Sequence, residues 1–251
     1  MIERARQKLI LALDFPALEP ALQLAQSLSS VVGMFKINIQ LFTSDGPAAI
    51  AKLSQLEPRI FLDLKFHDIP NTVKGAVTSA CGLPSVHLLD LHALGGLEMM
   101  RAAAMARNEA QGSKSATPKL LAITILTSMD NAALRTVGIT GPSSRRVVQL
   151  ARLAQKGGMD GVVASPHEVR AIRRACGKDF LIVVPGIRPR VGGGSAGSRR
   201  DRTDDQARVA TPAEAIRAGA DYLVIGRPIT GAPNPEAAAR AILEDISSAL
   251  P

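Results

Sequence analysis

Eight short, almost wholly apolar runs recur along the chain, each followed by a longer amphipathic stretch, and few folds accept that alternation. The runs are Lys8–Asp14, Met34–Asn38, Arg59–Lys65, Ser85–His92, Lys119–Thr124, Gly161–Ser165, Phe180–Pro185 and Tyr222–Gly226. The helix-like segments are Leu18–Ser30, Pro47–Leu56, Thr72–Ala80, Leu97–Glu109, Ser144–Lys156, Pro166–Ala175, Pro212–Ala218 and Pro235–Ala249. Strands this apolar are covered on both faces, as parallel strands are. Ser165-Pro166 and Thr211-Pro212 are sound helix openings, because proline loses nothing at a position whose N–H has no helical partner. Eight such units in 251 residues predict a single-domain α/β fold, a (β/α)8 barrel over residues 1–251. A doubly wound open sheet uses the same alternation. Against it, Ala12-Leu13-Asp14-Phe15-Pro16 after the first run lacks a dinucleotide fingerprint, and no linker halves the chain.

Composition removes several classes of function. With 46% hydrophobic and 21% charged residues, the chain has enough apolar content to offset the entropy of ordering. No charge-free run reaches the length of a bilayer span, and MIERARQKLI lacks the long apolar core of a secretory signal. Two cysteines, Cys81 and Cys176, make no disulfide framework, so a reducing cytoplasm is expected. The net charge is +8, yet six Phe, one Tyr and no Trp leave little to stack on nucleic acid. The charge concentrates between Arg188 and Arg208, where six arginines face three aspartates in a Gly- and Ser-rich stretch. That pattern suits a small anionic substrate; no nucleic-acid or membrane partner is expected.

In a barrel, active sites assemble where the strands end. Here the first run ends in Asp14, the second holds Lys36, the third ends with Asp63 and Lys65, and the fourth reaches Asp90 and His92. Thr127-Ser128 follow the fifth, Pro185 and Arg188 the seventh, and Gly226-Arg227 the eighth. Period-two alternation aims Asp63 and Lys65 at one side, and Asp68 follows three residues on. A lysine among carboxylates stays protonated, so it is a poor Schiff-base nucleophile and a good held proton donor. Glycine and arginine in Gly226-Arg227-Pro228 suit a phosphate, which barrels often hold after strands seven and eight.

Taken together, these residues resemble the orotidine 5′-phosphate decarboxylase family. The resemblance runs through Leu11–Asp14, Phe35-Lys36, Phe61–Thr72, Leu126–Met129, Pro185–Pro189, Asp204–Arg208 and Gly226–Ile229, with the stretch from Asp63 to Thr72 the most specific. It implies decarboxylation of orotidine 5′-monophosphate to UMP and CO₂ in pyrimidine biosynthesis, with no metal and no cofactor. Lys65 would be the proton donor to C6, within a catalytic array of Lys36, Asp63, Lys65 and Asp68. Asp14 and Lys36 would hold the ribose hydroxyls, Thr127 and Ser128 the pyrimidine edge, and Asp63 would stand beside the substrate carboxylate. Gln206, Gly226 and Arg227 would hold the phosphate, helped by Arg188 in the Pro185–Pro189 segment. Asp68, Ile69 and Thr72 would enter the neighbouring site of an obligate homodimer, and His67 would be a structural histidine. Leu94 stands where the family usually has a smaller residue. The nearest rival is the group of Mg²⁺-dependent phosphosugar decarboxylases and synthases, which share the Asp-x-Lys-x-x-Asp pattern but carry an acid where this chain has Lys36.

Overall fold

A computed structural model describes residues 1–112, 117–189 and 210–250. Eight parallel strands each pair with the next, and the last pairs with the first, closing a barrel in sequence order. They are β1 (Leu9–Ala12), β2 (Met34–Asn38), β3 (Ile60–Phe66), β4 (Val86–His92), β5 (Lys119–Ile123), β6 (Gly161–Val163), β7 (Leu181–Val184) and β8 (Tyr222–Ile225). Seven fall inside the apolar runs of the sequence and β3 runs one residue past its run, to Phe66; the barrel expected from them is the fold observed.

Side-chain alternation divides the apolar residues into two cores. Ile10 and Ala12 of β1, Met34, Phe61, Leu88, Leu121, Val183 and Val224 fill the barrel. Their strand neighbours, such as Leu9, Leu11, Phe35, Leu62 and Leu89, point outward and join the larger core under the helices. Gly161 matters to closure, since a Cβ there would come within 2.3 Å of the Leu181 carbonyl oxygen on β7.

The outer layer comprises α1 (Ile2–Arg6), α2 (Leu18–Leu28), α3 (Ile39–Asp45), α4 (Pro47–Ser54), α5 (Pro70–Cys81), α6 (Gly96–Gln111), α7 (Asn131–Thr136), α8 (Ser143–Lys156), α9 (Val169–Cys176), α10 (Pro212–Ala218), α11 (Arg227–Thr230) and α12 (Pro235–Ser248). The proline openings behave as expected. At α10, Thr211 Oγ1 accepts the Glu214 N–H at 3.2 Å while Glu214 accepts the Thr211 N–H at 3.0 Å, a reciprocal cap. Ser165 and Glu168 make the same arrangement, but through a turn of 3₁₀ helix ahead of α9.

Four short helices lie outside the sequence expectation: α1, α3, α7 and α11. Two carried a readable signal. Asn38 ends β2 and at once caps α3 through the Leu41 N–H at 2.9 Å. Asp130 caps α7 through two N–H groups at 2.9 and 2.8 Å. Both are ordinary N-cap chemistry, masked by the apolar runs beside them.

Candidate active site

On β2, β3 and β4 the residue two places beyond the apolar plug is charged: Met34 leads to Lys36, Phe61 to Asp63, and Leu88 to Asp90. The period of two that buries the first of each pair turns the second into the barrel's mouth. These three side chains are buried, and Lys65 joins them from the end of β3.

The lysines and acids form a chain. Lys36 Nζ lies 3.1 Å from Asp14 Oδ1 and 2.9 Å from Asp63 Oδ2. Asp63 uses its other oxygen for Lys65 Nζ. Burial pushes the Asp63 carboxyl up, but the Lys36 ammonium, a hydrogen bond with Asp90 and the Lys65 ammonium outweigh it and hold the group well below the carboxylate range. For Lys36, burial favours the neutral amine, and Asp63 and Asp14 overcome it, so the group stays cationic. Asp90 goes the other way: burial first, then the neighbouring Asp63 charge, push its carboxyl well above the usual range.

Lys65 reaches this array by a route that strand alternation does not give. Its φ is +52°, in the left-handed region, and the pairing of β3 with β4 shifts register between Leu62 and Phe66. The expectation that Asp63 and Lys65 share one side through regular alternation is therefore corrected in its reason: a bulge carries the ammonium back to Asp63.

A cavity of about 340 Å³ opens over these groups. Its charged wall is Asp14, Lys36, Asp63, Lys65 and Asp90; Thr127 and Ser128 stand at one side, and Pro185, Arg188, Gly226 and Arg227 close it from β7 and β8. Ala12, Ile123, Ile125, Val163 and Val224 supply an apolar lining that the sequence reading did not assign. Arg188 is anchored through its backbone, whose N–H donates to the Ala210 carbonyl at 2.9 Å.

Ten of the residues expected to hold substrate or do chemistry thus converge on one mouth. Asp68, Ile69 and Thr72 do not. They are exposed at the junction of β3 and α5, and Asp68 Oδ1 accepts the Ile69 N–H at 2.6 Å. Gln206 and the glycine-rich arginine stretch lie outside the described residues. His67 is exposed and stacks on His92, with ring centroids 5.2 Å apart. Among the described residues no three His, Cys, Asp or Glu side chains gather as a metal site, and no helix is long and apolar enough to cross a membrane.

Residues 7–242 match the model of the Orotidine 5′-phosphate decarboxylase / HUMPS family. The chain is 52% identical over 244 residues to orotidine 5′-phosphate decarboxylase of Moorella thermoacetica, covering 96% of this chain and 93% of that protein. To the enzyme of the same name from Geobacter sulfurreducens it is 51% identical, covering 97% and 98% of the two chains. The crystal structure of orotidine 5′-phosphate decarboxylase from Lactobacillus acidophilus superposes with a TM-score of 0.79 at 37% identity, covering 95% of this chain and 98% of that one.

Proposed function

The chain belongs to the Orotidine 5′-phosphate decarboxylase / HUMPS family, and within it we propose that it is the carboxy-lyase that converts orotidine 5′-monophosphate to UMP and CO₂ in pyrimidine biosynthesis. The observation that carries this reading is the Lys36 ammonium seated between Asp14 and Asp63, at 3.1 and 2.9 Å. The phosphosugar branch of the family would need a divalent ion among these acids, and the ammonium takes its place.

In this reading the phosphate of the substrate lies against Gly226, Arg227 and Arg188, with Gln206 completing the set. Arg227 offers a planar fork of donors matched to phosphate oxygens. Asp14 and Lys36 take the ribose hydroxyls, and Thr127 and Ser128 the pyrimidine edge. The substrate carboxylate then meets Asp63, a carboxylate that its lysine neighbours keep ionised. The C6–carboxylate bond breaks heterolytically, CO₂ leaves, and the electron pair stays on C6. Lys65 stabilises that pair as a fixed cation and then gives C6 its proton, so that UMP and a neutral amine result; solvent restores the ammonium. Fixed charge of this kind works because it meets the developing carbanion better than it meets the ground state. The whole acceleration needs on the order of 20 kcal/mol. One lysine supplies only part, and binding of the remote phosphate contributes the rest.

The exposed trio fits a shared site. Ile69 is 67% exposed, a large apolar side chain beside the charged Asp68 at the rim. A second copy of this chain would bury Ile69 and bring Asp68 and Thr72 to the mouth of the neighbouring barrel, making the enzyme a homodimer. Two buried free thiols, Cys81 and Cys176, suit the reducing cytoplasm in which such an enzyme works.

One assay tests both parts. The protein is incubated with orotidine 5′-monophosphate and excess chelator while the orotate absorbance is followed. Turnover is expected, with Lys65→Ala and Asp68→Asn each nearly inactive alone and activity regained when the two variants are unfolded, mixed and refolded. Loss of turnover on chelation favours the metal-dependent branch, and failure of the mixture to recover removes the shared site.

A further inference from the structure

Asp90 stands in the wall of the cavity, yet no step of the proposed reaction uses it. It is fully buried on β4. Pairing along the β3–β4 seam runs from Phe61 with Leu88 to Leu62 with Leu89, then resumes at Phe66 with Leu91. Asp63, Leu64 and Lys65 therefore bulge opposite Asp90 alone. At the crest, Lys65 holds a left-handed backbone that side-chain-bearing residues disfavour. Its amide donates to Asp90 Oδ1 at 2.8 Å, a side-chain bond where the ladder has lapsed.

The second oxygen of Asp90 is enclosed and meets no N–H or O–H group. What the carboxyl does meet is another carboxyl, that of Asp63, within hydrogen-bonding reach. Two acids so placed in a water-poor wall do not both ionise. Asp63 has two ammonium partners, whereas Asp90 has one backbone N–H. We propose that Asp90 carries the proton and is a positioning residue: as a neutral acid it accepts from the Lys65 amide, donates to Asp63, and so fixes the bulge that aims the Lys65 ammonium. Burial, followed by the Asp63 charge, pushes the Asp90 carboxyl up, in agreement with that assignment.

The charged groups around it are few. Asp63 and Lys65 face it from β3, with Lys36 of β2 behind Asp63. His92 lies further along β4, stacked on His67. On the other side β5 sets Leu121 against it, and the strand's own Lys119 is turned to Asp160. The inference rests on the decarboxylase reading only for its kinetic consequence; where the proton sits can be judged without any substrate.

Asp90→Asn keeps both hydrogen bonds, its amide oxygen accepting from Lys65 and its amide nitrogen donating to Asp63, and Asp90→Ala removes both. The expected kcat of D90N is within about threefold of the parent's, and that of D90A about 100-fold lower with KM little changed, the scale of a misplaced reacting group. Because only the acid must hold a proton against solvent, the melting temperature of D90N should exceed the parent's by a margin that widens from about pH 5 to about pH 8. Infrared difference spectra at neutral pH should show the carbonyl stretch of a protonated carboxyl in the parent and none in D90N. The proposal is overturned if D90N loses as much kcat as D90A, if the margin is flat with pH, or if the band is missing. A D90N chain that does not fold also overturns it, since the amide reproduces both bonds. If D90A alone fails to fold, the D90N margin and the band decide. A parent without decarboxylase activity defeats the functional reading, while the band and the margin still judge Asp90.

Discussion

The two ends of the barrel spend charged residues in opposite ways. At the foot, where strands begin, Asp160 and Asp221 are matched to structural donors. Asp221 accepts from Arg173 at 2.6 Å and from the Ile182 amide of β7 at 2.8 Å. The same guanidinium also donates to the carbonyls of Gly177, Lys178, Phe180 and Gly219. Asp160 gathers Arg107 at 2.7 Å, Lys119 at 3.2 Å and the Leu120 amide at 2.8 Å. These clusters tie strand starts to helix ends, and the positive φ they use falls on glycines, Gly177 and Gly219. At the mouth, acid stands against acid at Asp63 and Asp90, and the lysine between them is held at a φ of +52°. Left-handed backbone occurs at both ends, since Glu57 and Ser85 hold φ of +52° and +59° ahead of β3 and β4. Acid crowded against acid, however, is kept where chemistry is done, and the foot supplies the stability that tolerates it.

If that contrast is right, substitutions at the two ends have opposite signatures. The largest effect is expected at the mouth. Lys65→Gly removes the ammonium and should lower kcat on the order of 1000-fold or more. Its unfolding free energy should stay within about 1 kcal/mol of the parent, because relief of the left-handed residue offsets the lost, partly exposed ion pair. Denaturant melts beside steady-state kinetics check both halves; a collapse in stability would mean that Lys65 is structural after all. The foot should behave conversely. Asp221→Ala leaves Arg173 and the Ile182 amide short of an acceptor, at a cost of about 2–3 kcal/mol, while kcat of the folded fraction stays within about twofold. A large fall in kcat at full folding would join the two ends and erase the distinction.

How far each end can be read from sequence follows the same division. The alternation of apolar runs fixes the strands because a one-residue slip would turn every inward side chain outward. Met34, Phe61 and Leu88 could therefore be placed inside, and Lys36, Asp63 and Asp90 one layer above them. The bulge at Asp63–Lys65 could not be read. It is set by how β3 meets β4 across the seam, and Asp-Leu-Lys alternates equally well in a regular strand. Asp90 was visible only as one more acid where an apolar strand runs out. That it faces Asp63 depends on the β3–β4 register, which no local pattern encodes. The foot clusters were invisible for a related reason: Asp160 and Asp221 sit in turns of ordinary composition, and their partners come from 53 and 48 residues away. Short caps such as Asn38 and Asp130 were legible in principle, since the signal lies within three residues of the helix it starts.

The smallest effect tests the mouth by titration. His92 sits beside the charged array with its Nδ1 enclosed and without a partner among the described residues. Burial first, then the His67 and Lys65 charges, lower it to about 4. An unfolded histidine titrates near 6.5. As pH falls below about 6.5, the unfolded chain takes up a proton that the folded chain refuses. The contribution of a neutral His92 is thus present above that pH and is lost progressively toward about 4. Half of the ring's surroundings are solvent-screened, so about 1 kcal/mol is the expected size. Urea midpoints of the parent should drop between about pH 7.5 and about pH 5, and those of His92→Gln should drop less, since glutamine takes no proton. Equal slopes for the two proteins would show that the acid sensitivity belongs to carboxylates elsewhere. The mouth would then owe its strain to Lys65 and the Asp63–Asp90 pair, with no share for the stacked histidines.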